Sequence, residues 1–178
     1  MIYVMILKYL CLVLFYGFAN FLPNSYIPVI GTISNKIRLF LCRRIFRKMG
    51  KVSTINRCVN FGKGMDIEIG NYSGIGEGAI IPPNTKIGNF VMIAPYLYIV
   101  GGNHKFDRID MPMCFQGSEQ NKVTIIEDDV WIGARVIIMP ECHIGKGSII
   151  AAGAVVTKNI GEYEIWGGVP ARLLKKRI

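Results

Sequence analysis

The sequence predicts an all-β fold: a parallel β-helix wound from six-residue repeats, with an apolar and basic helical segment in front of it. Three observations carry this expectation. Ile or Val recurs at every sixth position in two unbroken runs, Ile69, Ile75, Ile81, Ile87, Ile93, Ile99 and then Ile126, Ile132, Ile138, Ile144, Ile150, Val156. That period belongs neither to a helix nor to plain strand alternation, and short fixed periods mark solenoids. Gly or Ala follows most beats (Gly70, Gly76, Gly88, Ala94, Gly133, Gly145, Ala151), and a small or β-branched residue stands four places on (Ser73, Ala79, Thr85, Val91, Val130, Val136, Cys142, Ser148, Ala154). Finally, the 178 residues are 51% hydrophobic and only 19% charged, which excludes a disordered chain.

The charge is segregated. No Asp or Glu precedes Asp66, whereas Lys8, Lys36, Arg38, Arg43, Arg44, Arg47, Lys48, Lys51, Arg57 and Lys63 all do; the rest of the chain is nearly neutral. A basic stretch beside an apolar one suits a membrane surface better than nucleic acid, and no nucleic-acid partner is expected.

Residues 1–50 form this head. Met1 to Leu22 carries one charge, Lys8, and stops at Pro23, just long enough to cross a bilayer. It lacks the positive start and cleavage site of a signal peptide. From Ser34 to Met49 the spacing predicts an amphipathic helix, with Ile33, Ile37, Phe40, Leu41 and Ile45 on one stripe and Lys36, Arg38, Arg43, Arg47 and Lys48 mostly off it. Gly50 is a fair stop. Such a helix can lie among anionic headgroups, or its stripe can cover the open end of the solenoid. The expectation is a cytoplasmic body on the inner face of the cytoplasmic membrane, with the choice between a spanning and an interfacial head left open. Cys11, Cys42, Cys58, Cys114 and Cys142 are odd in number and widely spaced, which argues against a disulfide framework or a Cys-based zinc site.

Residues 51–165 form the body. Each hexad supplies one flat face and one corner, with Ile inward and the Gly or Ala at the tight corner. Three faces make an eighteen-residue coil, so Ile69 to Val156 gives four coils. Ile55, Phe61 and Ile67 keep the spacing out of phase and predict an irregular first coil. Residues 100–124 break the beat, and a loop of that length inside a compact solenoid is usually functional. It carries His104. A hydroxyl is a poor nucleophile near neutral pH, and an imidazole can take its proton. Asp107 or a loop carbonyl could orient that ring. His143 is read as a corner residue outside the chemistry.

The runs IEDDVWIGARVIIMP (126–140) and IGKGSIIAAGAVVTKNI (144–160), with the tail WGGVPARLLKKR (166–177), resemble the hexapeptide-repeat acyltransferases, and most closely the sugar and polysaccharide O-acetyltransferases. The resemblance covers about residue 52 to the end. It implies a left-handed helix, an acetyl-CoA co-substrate without a metal, a homotrimer with each active site between two subunits, and a sugar or glycan acceptor, a lipid-linked one included. Asn103-His104-Lys105-Phe106 matches the family's catalytic-histidine motif and makes His104 the general base. Ala134, Ala152, Thr157, Lys158, Arg172 and Lys175 match positions that contact coenzyme A, the last two on a tail, 166–178, expected as a short C-terminal helix. Trp131 matches an aromatic near the thioester. Asn103 and Asn84 are expected to line the site. The early-coil polar residue of many sugar acetyltransferases has no clear counterpart, with Glu77 and Asn84 the nearest choices. The chain's two histidines fall short of the three metal ligands of carbonic-anhydrase relatives. The rival readings are the same fold acting on a streptogramin-type antibiotic, serine or a nucleotide-sugar amine, and a membrane-bound scaffold without catalysis.

Overall fold

The computed structural model describes residues 2–119 and 122–177. Two helices open the chain, α1 (Ile2–Gly17) and α2 (Ile30–Ile45). Short strands follow: β1 (Lys48–Met49), β2 (Thr54–Ile55), β3 (Glu68–Ile69), β4 (Gly74–Ile75), β5 (Thr85–Ile87), β6 (Met92–Ile93), β7 (Tyr98–Ile99), β8 (Thr124–Ile126), β9 (Trp131–Ile132), β10 (Ile137–Ile138), β11 (His143–Ile144), β12 (Ile149–Ile150), β13 (Val155–Val156), β14 (Glu164–Gly167) and β15 (Arg172–Lys176). They stack into three faces. The first is β1-β3-β5-β8-β11, the second β2-β4-β6-β9-β12-β14-β15, and the third β7-β10-β13. All pairings are parallel except β14 with β15.

The register explains the beat and its faults. Ile69 pairs with Ile87 and Ile132 stacks beneath Ile150, one eighteen-residue coil apart. In the first coil the step is two residues longer, Lys48 to Glu68 and Thr54 to Gly74. The extra residues sit between Phe61 and Ile69, where Gly64 N–H donates to Phe61 C=O (3.0 Å) and Ile67 N–H to Gly64 C=O (3.1 Å). This is why Ile55, Phe61 and Ile67 run out of phase, although all three are fully buried. Across the interruption Ile87 pairs with Ile126, Ile93 with Ile132 and Ile99 with Ile138. The loop leaves and returns without disturbing any face.

Every beat residue from Ile69 to Val156 is buried, and so are the residues four places on except Asn103, where the interruption begins. The glycines after the beats have a different role from the one the spacing suggests. The left-handed backbone falls two residues later, at Tyr72, Phe90, Tyr96, Asp129, Arg135 and Gly147. The beat-following glycines instead let coils approach. A Cβ on Gly76 would lie 2.5 Å from the Ala94 carbonyl, and one on Gly133 would lie 2.5 Å from Ala152 N.

One edge carries a side-chain ladder. Asn71 Oδ1 accepts from Lys51 N–H (2.9 Å), Asn89 Oδ1 from Asn71 N–H (2.8 Å), and Asp128 Oδ1 from Asn89 N–H (2.6 Å). The bonds from the Asn89 backbone and amide hold the Asp128 carboxyl below the usual carboxylate range.

The ends differ from expectation. α2 begins four residues before Ser34, and Lys48–Met49 is already strand. Its stripe is divided: Leu41 and Ile45 are buried over the first coil, while Ile33 and Phe40 face outward. Arg38, expected among the solvated basic residues, is fully buried. Its Nε donates to Ile55 C=O (2.7 Å), Nη1 to Ala19 and Leu22 C=O (3.3 and 3.2 Å), and Nη2 to Pro23 C=O and Ser25 Oγ (3.1 and 2.9 Å). The planar fork ties one carbonyl of the first coil, Ile55, to the carbonyls of the segment that joins the two helices. Burial lowers its pKa from the usual arginine value.

α1 is pinned beside it. Phe15 and Tyr16 pack on Phe61, with ring centroids 4.7 and 5.3 Å away, and Tyr16 Oη accepts from Phe61 N–H (2.9 Å). Ile2–Phe21 is long and apolar enough to cross a membrane, yet Cys11, Phe15 and Ala19 are buried against the body. The free part, Ile2–Leu10, rises only about 14 Å, against about 30 Å of hydrocarbon. At the other end the expected tail helix is absent. Residues 164–176 form an antiparallel hairpin, because the exposed edge of β14 offers Arg172–Lys176 a ladder that a one-turn helix could not match.

Two outcomes test these contacts. Arg38→Met should cost about 3 kcal/mol or more, since several buried carbonyls lose their donor, read as a lower urea midpoint, with Arg38→Lys falling in between. For Asp128, whose folded pKa is depressed, the charged form's stabilisation is present above the unfolded pKa and is lost as pH falls through the folded one. Asp128→Asn should therefore lower the melting temperature at pH 7, with the deficit closing below about pH 4.

Candidate active site

The interruption between β7 and β8 folds back on itself as an arm. His104 bridges Ser118 antiparallel, Lys105 N–H donates to Gly117 C=O (3.0 Å), and Glu119 N–H donates to Asn103 C=O (2.8 Å). Gln116 staples the arm's tip: its Nε2 donates to Arg108 and Met111 C=O (2.7 and 2.8 Å), and its Oε1 accepts from Arg108 N–H (3.1 Å). His104 is exposed and Asn103 half-buried. Among the described residues, no side-chain hydrogen bond reaches the His104 ring. Asp107 lines a cavity of about 310 Å³ inside the arm with Lys105, Arg108, Met111, Phe115 and Gln116. Phe106, Ile109, Met113 and Phe115 are exposed on the arm.

A larger groove, about 630 Å³, runs over the second face. Its floor is Gly74, Val91, Met92, Ile93, Ala94 and Pro95, with Tyr72 and Trp131 beside them. The head supplies the opposite wall, Ser25, Tyr26 and Asn35, and Ser53 and Thr54 at the start of β2 add to it. Among the described residues, no charged side chain lines the groove. The wall is fixed by hydrogen bonds. Asn35 Oδ1 accepts from Thr54 Oγ1 and Ile55 N–H (both 3.1 Å), and Asn35 Nδ2 donates to Ser53 C=O (3.0 Å). Asn56, fully buried, accepts from Ser25 N–H (3.2 Å).

Trp131 is half-exposed in this groove. Asn84 is not: it occupies a positive-φ corner between the third and first faces, outside the groove lining. Glu77 is likewise outside the groove lining, its carboxylate accepting from Asn24 Nδ2 and Arg57 Nε. Among the described residues of this chain, His104 is not part of the groove's lining.

The residues matched to coenzyme A are gathered in part. Ala134 and Ala152 stack at one edge, where Gly153 N–H donates to Ala134 C=O (2.8 Å). Ala94 and Pro95 of the groove lie one coil below, Pro95 C=O accepting from Arg135 N–H (3.0 Å). Arg172 pairs with Gly167, which packs on Ala151. Small residues thus run from the groove floor to a basic strand. Thr157 and Lys158 are exposed at the far end of the third face, past β13, and Lys175 lies further along β15 opposite Ile165. Arg177 binds Asp129 (3.1 Å) and Gly147 C=O (2.8 Å), closing the tail onto the body. His143 is a strand residue whose Nε2 lies 2.8 Å from Glu127 Oε1. Sequence reasoning missed the groove wall at 25–35 and the Gln116 staple; polar Asn24 and Asn35 within an apolar head were the available signals.

The family model for bacterial transferase hexapeptide (six repeats) matches residues 124–158. A galactoside O-acetyltransferase of Lactococcus lactis is 31% identical over 76% of this chain, and the match spans 66% of that protein's length. Among solved structures, a maltose O-acetyltransferase from Clostridium difficile 630 superimposes with a TM-score of 0.74 at 29% identity, over 97% of this chain and 87% of that one. A hexapeptide-repeat acetyltransferase from Vibrio cholerae in complex with acetyl coenzyme A gives 0.70 at 29% identity, over 79% and 76%. The repeat match inside the solenoid, the curated relative and the solved neighbour that extends over the head make the chain a member of the hexapeptide-repeat transferase family, built on the left-handed β-helix.

Proposed function

We propose that the protein is an acetyl-CoA-dependent O-acetyltransferase acting on a hydroxyl of a sugar or glycan. The observation that carries this reading is the continuity of two features. An uncharged groove lined by Tyr26, Tyr72, Trp131 and several hydroxyls and amides suits a sugar. It passes through Ala94 and Pro95 into a shallow alanine edge ending at Arg172, which suits a pantetheine arm with phosphates beyond it. Acetyltransferases of galactoside and maltose among the relatives support the same acceptor class.

In this reading His104 takes the hydroxyl proton as the oxygen attacks the thioester carbonyl. The new C–O bond forms, the C–S bond breaks, and the imidazolium returns its proton to the leaving thiolate. Backbone N–H groups stabilise the developing oxyanion. His104 is not part of its own chain's groove lining, which is consistent with a homotrimer in which the arm of a neighbouring copy supplies it. Ala134, Ala152, Thr157, Lys158, Arg172 and Lys175 hold the donor, and Asn103 and Trp131 line the reacting centre. The head docks on the inner face of the cytoplasmic membrane, lying in the interface rather than crossing it.

His104→Ala should lower acetyl transfer by about 10²–10⁴-fold while calorimetry finds acetyl-CoA binding unchanged; full activity in that variant removes His104 from the mechanism. In cell fractionation the protein should sediment with membranes and be released by alkaline carbonate. Recovery in the soluble fraction at physiological salt, without detergent, would overturn the attachment.

A further inference from the structure

The groove's outer wall continues into an apolar surface. Tyr26, which lines the groove, is 75% exposed, and the chain proceeds through Ile27, Val29, Ile30 and Ile33, all exposed, into α2, whose Asn35 lines the groove again. Ile30 and Ile33 are 51% and 54% exposed, and Phe40 extends their stripe along the same helix. Basic groups flank it: Lys36 and Arg43 are exposed, and the Arg44 guanidinium lies 3.7 Å from the Phe40 ring centroid. Without an acidic residue before Asp66, nothing in the head opposes an anionic surface. The exposed side of α1, from Ile2 to Leu10, adds to the same apolar head. An apolar stripe bordered by cations is the pattern of a helix seated at the level of lipid headgroups.

We infer that the groove opens at the bilayer surface, and that its acceptor is a glycan carried on a membrane lipid. The proposal rests on the acetyl-transfer reading and deepens it. Seated on Ile30, Ile33 and Phe40, the head brings the Tyr26 wall to headgroup level, where a lipid-borne sugar can enter sideways while its chain stays in the membrane. A soluble sugar gains nothing from this arrangement. Confinement to the same surface raises the effective concentration of a lipid-borne one.

The test uses the full chain on vesicles of phosphatidylcholine and phosphatidylglycerol with radiolabelled acetyl-CoA. Galactosides, glucosides and maltosides are offered at equal bulk concentration, either as soluble methyl glycosides or as dodecyl glycosides embedded in the vesicles. The embedded forms should be acetylated about tenfold faster or more. The double variant Ile30→Ser/Ile33→Ser changes two exposed side chains outside the groove lining, so it should melt as the parent does. It should lose that advantage and keep its rate on methyl glycosides. Equal rates on both acceptor classes, or an undiminished advantage in the double variant, would overturn the membrane presentation while leaving acetyl transfer standing. Transfer to neither class by a preparation that binds acetyl-CoA would overturn the sugar reading and this inference with it.

Discussion

A coil of this solenoid cannot bury its own isoleucines; it buries them only against the coil above and the coil below. Everything else follows from that constraint. The beat must be kept so that Ile69, Ile87, Ile126 and Ile144 stand over one another, and glycine must follow where the backbones close to contact distance. The two terminal coils each have one face with no partner. The chain spends its first fifty residues on one of these ends and its last fifteen on the other.

The site exploits the same constraint. Because the register on all three faces resumes after β7, the arm bearing His104 can be long without loosening the stack. Because coils stack in columns, residues far apart in sequence form one surface. Tyr72, Met92 and Trp131 share a groove, and Ala134 and Ala152 share an edge, each through a single coil step. The head contributes chemistry as well as closure, since the fork of Arg38 and the amide of Asn35 fix the segment from which Ser25 and Tyr26 face the groove.

Much of the body was legible because its dominant force is periodic. One Ile per six residues reports burial directly, and even the irregular first coil was visible as a phase error at Ile55, Phe61 and Ile67. What escaped depends on partners remote in sequence. A lone arginine in a basic run reads as solvated, and only the carbonyls of residues 19–23 and 55 make Arg38 a buried group. The tail RLLKK fits a helix or a strand equally well, and the free edge of β14 decides. The role of the glycines was misread because sequence gives the turn but not the coil lying 2.5 Å beyond a missing Cβ. The groove wall needed residues 25–35 set against 72–131, a juxtaposition that no local pattern announces.

The buried guanidinium also bears on how the molecule can be divided. A hydrophobic head in front of a soluble enzyme invites description as a tether, something a protease or an engineer could remove and leave the enzyme intact. Here the stem of that tether is the lid of the core. Cutting after residue 50 would uncover Ile55 and Phe61 together with the strand edges of the first coil, a template for pairing with another chain. In this chain the apolar, basic head and the cover of the first coil are the same piece of polypeptide.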